Sequence, residues 1–174
     1  MLYHFPYFGN INIAELKDYY QTKIILSGNP VSVDLNFNGP SIDLLLADSI
    51  STFLNNAAAL GVRTNDYIKQ DFVTRTGETL PYITEMLEHM DKKELLDLEN
   101  NPIKKAYYRG FGFSNKPRYL LGKLKLIRIG LYPESSNQFA IFDYTYDIGG
   151  SPCNQLLVVR TDIGGTLQEV DWES

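Results

Sequence analysis

The chain has 174 residues, 44% of them hydrophobic and 21% charged, with a net charge of −5 and a single cysteine, Cys153. That is the length of one domain, residues 1–174, with ordinary globular usage. It excludes a disordered chain, a collagen-like chain and a disulfide scaffold. The opening Met1-Leu2-Tyr3-His4-Phe5-Pro6 has neither the basic nor the apolar part of a secretory signal. No apolar run nears the roughly 20 residues of a spanning helix. With one lone thiol, the expectation is a cytoplasmic protein.

Residues 13–20, with Ile13, Leu16, Tyr19 and Tyr20, suggest a short helix. Ile24-Ile25-Leu26 suggests a short strand, and Ser27-Gly28-Asn29-Pro30 a turn. Val31, Val33, Leu35 and Phe37 then alternate with Ser32, Asp34, Asn36 and Asn38. A period of two predicts a half-buried strand with one wet face. From Ile42 to Ala57 the apolar residues follow helical spacing, with Ser41 as N-cap and Gly61 as the C-terminal stop. Two more helices are predicted, over about 65–76 behind a Thr64 cap and over about 80–90 behind Thr79. A short fourth opens at Asp91 and ends before Asn100-Asn101-Pro102. Beyond Pro117 the period returns to two, which predicts strands over about 119–131, 138–147, 155–162 and 166–172. The expected fold is α+β: an antiparallel sheet of two N-terminal and four C-terminal strands, with a central helical segment packed on one face.

Charge is uneven. Residues 78–103 hold seven acids against Lys92 and Lys93, and residues 104–128 hold eight bases and no acid. Two uses follow: ion pairs within the chain, or patches shown to partners. An acidic helical face of Glu85, Glu88, Asp91 and Glu94 would steer the chain toward a basic protein. The basic block interleaves Lys104, Lys105 and Arg109 with Tyr107, Tyr108 and Phe111, the residue types that neutralise phosphates and stack on bases. Within it, Arg109-Gly110-Phe111-Gly112-Phe113 matches the start of the RNA-recognition-motif signature. Ser114, Asn115 and Lys116 then break the match, and the element order does not fit that fold.

Signals for catalysis are sparse. There is no G-x-S-x-G and no phosphate-cradling glycine loop, and Cys153 has no histidine base close in sequence. Asp143 and Asp147, four apart on one predicted strand, would cluster with Asp34 if their strands were neighbours, giving paired carboxylates for a hydrolase. Glu85 and His89 share a helix face, but no third ligand stands near to complete a metal site, so no metal or cofactor is expected.

Several stretches carry a resemblance: Tyr7-Phe8-Gly9-Asn10-Ile11, Val33-Asp34-Leu35, Ile129-Gly130-Leu131-Tyr132-Pro133, Phe139 to Tyr144, Leu156 to Asp162, and the terminal Trp172-Glu173-Ser174. Together they resemble a bacterial domain-of-unknown-function family, number two thousand and four of that series. The resemblance implies a small cytoplasmic bacterial protein of unassigned activity, of a kind that includes suspected immunity proteins, which block a toxin by binding it. It carries over no catalytic residue. The leading expectation is therefore a non-enzymatic protein-binding domain, an immunity-type inhibitor in its sharpest form. The alternatives are a small hydrolase using sheet-face carboxylates and a nucleic-acid binder through residues 104–128. Unpaired sheet edges leave a homo-oligomer open.

Overall fold

The alternation of Val31, Val33 and Leu35 with polar neighbours becomes a strand in the computed structural model, which describes residues 1–89, 93, 116–148, 151–152 and 155–173. In chain order the strands before the helices are β1 (Leu2–Phe5), β2 (Gly9–Asn12), β3 (Tyr19–Leu26) and β4 (Asn29–Asn36). Four helices follow among the described residues: α1 (Leu44–Asn55), α2 (Ala57–Phe72), α3 (Thr79–His89) and α4 (Lys116–Leu121). The remaining strands are β5 (Lys125–Leu131), β6 (Ala140–Thr145), β7 (Asp147–Ile148), β8 (Ser151–Pro152), β9 (Leu156–Thr161) and β10 (Leu167–Glu173). The main sheet has six strands in the order β10-β9-β6-β5-β4-β3, and β1-β2 and β7-β8 form two small hairpins. No helix among the described residues is long and apolar enough to cross a membrane.

The α+β class and the count of two N-terminal and four C-terminal strands in the main sheet agree with the sequence. The pairing differs at one joint. β4 and β5 run parallel, with Val33 beside Ile129 and Leu35 beside Leu131, so the sheet is mixed rather than antiparallel. The helical segment is a crossover: it carries the chain back to the end of the sheet where β4 began, which a parallel pair requires. β5, β6, β9 and β10 then pair in sequence, each antiparallel to the last.

Register builds the core. Val33, Ile129, Phe142, Val159 and Val170 form one apolar row across five strands. Each of the first three helices is tied to that face. Phe53 of α1 meets Phe139 and Phe142 at 5.2 and 6.2 Å. Thr64 of α2 shares a 2.6 Å hydrogen bond with the Tyr144 hydroxyl. Tyr82 of α3 meets Trp172 edge-on at 5.9 Å and stacks on Tyr146.

Local departures have local causes. Residues 13–18 form turns rather than a helix, because Ile13 N–H donates to Met1 and Leu16 N–H to Pro40, and Tyr19 and Tyr20 join β3. The N-cap of α1 is Asp43, two residues past Ser41, and its Oδ1 accepts from Leu46 N–H at 2.8 Å. The helix break falls at Asn56, so Gly61 and Thr64 lie inside α2 instead of ending and capping helices. Both serve close approach to the sheet there: a Cβ on Gly61 would sit 3.3 Å from Leu126, and Thr64 donates back to Leu60 and Gly61. The predicted strand from 119 begins as α4 and becomes extended only at Lys125. The short helix predicted after Asp91 lies outside the described residues apart from Lys93.

Candidate functional site

Pleating sends every second side chain away from these helices, onto the other face of the sheet. Two register rows cross that face. One is Asp34, Gly130, Ile141, Arg160 and Glu169; the other is Ser32, Arg128, Asp143, Val158 and Asp171. Two arginines organise the polar members.

Arg128 lies at the centre. Its Nε donates to Asp34 Oδ1 at 2.7 Å and its Nη2 to Asp34 Oδ2 at 2.8 Å, a bidentate fork. Nη1 donates to Asp143 Oδ2 at 2.9 Å, and Nη2 also to the Tyr132 hydroxyl at 2.9 Å. Asn36 adds a bond from Nδ2 to Asp34 Oδ2 at 2.6 Å. Asp34 is 0% exposed and Asp143 5%, so the guanidinium meets both carboxylates out of water. To reach Asp34 it runs over Gly130, the residue beside Asp34 in register. A Cβ there would lie 2.5 Å from Nη2, so glycine makes the room. Burial pushes the Asp143 carboxyl above its ordinary range, against the bond from Arg128 that pulls it down. Burial lowers the Arg128 value, but the bonds to Asp34, Tyr132 and Asp143 outweigh it and leave the guanidinium more firmly charged.

Arg160 lies beside the β10 edge. It binds Glu169 at 3.1 Å, Asp171 at 3.2 Å and Glu173. These three acids alternate along β10 and stay 58%, 43% and 49% exposed, whereas Arg160 is 16% exposed. One cation among three carboxylates leaves this edge acidic.

The structure places Asp34 and Asp143 on one face, but their strands are not neighbours: β5 lies between them, and the two carboxylates are joined through its Arg128 rather than facing each other. Asp147 departs from that set: the strand ends at Thr145, and Asp147 starts β7, which pairs with β8 in a separate hairpin. Glu85 and Glu88 stand on α3, half-exposed and exposed. Glu85 faces His89, whose Nδ1 lies 3.8 Å from Glu85 Oε1. Asp91 and Glu94 lie outside the described residues, as do Lys104, Lys105, Tyr107, Tyr108, Arg109 and Phe111. Of the basic block, Arg128 does pair within the chain, with strand carboxylates and not with the acidic helices.

Sequence reasoning missed Arg128, Tyr132, Arg160 and the acids of β10. One signal was available: Glu169 and Asp171 fall at i and i+2 of the strand predicted over about 166–172, and Glu173 continues the spacing one residue past it, which puts all three on one face.

Fold and site together define an α+β protein with helices on one sheet face and a charged network, acidic at one edge, on the other. No family model, curated protein or solved structure matches the chain.

Proposed function

We propose that the chain is a non-enzymatic protein-binding domain that meets a basic partner with the β10 edge of its main sheet. The observation that carries this is the ladder of Glu169, Asp171 and Glu173, three half-exposed carboxylates held in a fixed row by one arginine. A pre-arranged row of like charge steers an oppositely charged protein and fixes its register. α3 packs on the other face of the same strand, where Tyr82 meets Trp172. An immunity-type inhibitor, which holds a basic toxin and covers it, is the form of binder this surface suits, in line with the family resemblance. The hydrolase alternative has weaker support, because both Asp34 oxygens already accept bonds and its side chain is buried, so Asp34 is not open to substrate.

The test is affinity capture from the host's own lysate at low and high salt, with native chain and with the Glu169→Gln, Asp171→Asn, Glu173→Gln variant. One stoichiometric basic protein, released by salt and lost with the variant, supports the proposal. Equal capture by both, or nucleic acid as the bound material, overturns it.

A further inference from the structure

We propose that the opposite edge of the sheet, β3, is a self-association edge, on which a second copy of this chain docks antiparallel with Thr22 facing Thr22 of that copy. This goes beyond the acidic edge and does not depend on it, since β3 and β10 are at opposite ends of the sheet.

The first support is hydrogen-bond parity. Ser27 and Gly28 both have positive φ, 50° and 80°, the signature of a two-residue type I′ turn. Such a turn makes Leu26 and Asn29 a hydrogen-bonded pair, and bonding then alternates along the hairpin. Phe37 N–H donating to Asp18 at 2.9 Å confirms the alternation at the far end. The main-chain groups of Tyr19, Gln21, Lys23 and Ile25 therefore point away from β4, toward the edge that no other described strand pairs with.

The second support is that only one register suits both those groups and their side chains. With Thr22 on the two-fold axis, Tyr19 pairs with Ile25 of the second copy and Gln21 with Lys23. That makes four hydrogen-bonded pairs and about eight bonds, every free group of the edge included. Tyr19 and Ile25, 48% and 69% exposed, are the exposed large hydrophobics of β3, and here they cover each other twice. Aromatic and β-branched residues are favourable cross-strand partners. Centring the axis on Lys23 would set lysine against lysine, and centring it on Gln21 would set Ile25 against Lys17. Charge also selects the edge. β3 holds Lys23 as its single charge, whereas self-pairing through β10 would oppose two rows of carboxylates.

The contact is two short strands, below the standard interface size, so the dimer is weak and reversible. It joins six strands from each copy into one continuous sheet with an acidic β10 edge at both outer ends.

Sedimentation over a concentration series tests it. The expected mass rises from 19.8 kDa toward twice that value, and Ile25→Asp, on an exposed side chain, abolishes the rise without altering the circular dichroism spectrum. A second measurement reads the register. With Cys153 replaced by Ser, Thr22→Cys crosslinks under mild oxidation, because directly opposed non-bonded residues lie about 4.5 Å apart. Gln21→Cys does not, because its two copies lie about 7–8 Å apart on the diagonal. A native chain that stays at 19.8 kDa up to about 1 mM overturns the proposal, as does crosslinking at position 21 but not at 22.

Discussion

Arg128 and Arg160 stand on the same face of the same sheet, each binds carboxylates of neighbouring strands, and they do different work. Arg128 covers a carboxylate that water does not reach, and it spans β4, β5 and β6. Arg160 gathers three carboxylates that water still reaches, and it spans only β9 and β10. Burial decides the difference. A buried pair is costly to break, because the remaining charge is stranded in a poor solvent. An exposed pair is cheap to break, because water and salt take over. The central arginine therefore serves the fold, and the edge arginine sets the shape and charge of a surface.

The strongest way to break this comparison is Arg128→Met, which leaves Asp34 buried and unpaired. The expected loss is about 3–5 kcal/mol in urea denaturation. A loss no larger than that of the matching Arg160 change would show that burial does not separate the two. Next in size is Gly130→Ala, whose methyl displaces the guanidinium from Asp34. About 1–3 kcal/mol is expected, and the effect should shrink sharply in the Arg128→Met background if it acts through that side chain. Arg160→Met should cost about 1 kcal/mol or less, with the difference fading as salt is added.

The smallest effect is in pH. The folded Asp143 carboxyl titrates above its ordinary 3.8, so the folded chain holds that proton more tightly than the unfolded chain. Its contribution to stability is fully present below about 3.8 and is lost as pH rises through the raised value. Asp143→Asn should flatten that part of the stability–pH curve, and an unchanged slope would assign the titration to another group.

Local signals in the sequence carried most of the architecture. The period of two from Val31 to Phe37 and in the last third of the chain marked five strands of the main sheet, though β5 starts six residues later than its period suggests, and β3 was marked only by its C-terminal end. The hairpin of β1 and β2 was not legible, because four-residue strands joined at Tyr7 and Gly9, both at positive φ, are too short to show a period. The parallel joint was not legible either, since strand direction depends on where the crossover ends in space. For the site, Asp34 and Asp143 stood out as acids on wet faces. Arg128 did not, because in sequence it is the last of eight bases in one run. Only register shows that it, unlike Lys123 or Lys125, stands between them.

The parallel joint also bears on how the chain reaches this structure. Arg128 and Asp34 are 94 residues apart, whereas β3–β4 and the chain from β5 to β10 each close over short connections. Local closures come early and distant ones late, because loop entropy opposes the long closure until both halves exist to reward it. The N-terminal hairpin and the C-terminal meander should each form in outline first, and the seam between β4 and β5 last. The ion network is built across that seam, so Arg128 acts as a late latch: its loss should speed unfolding far more than it slows folding.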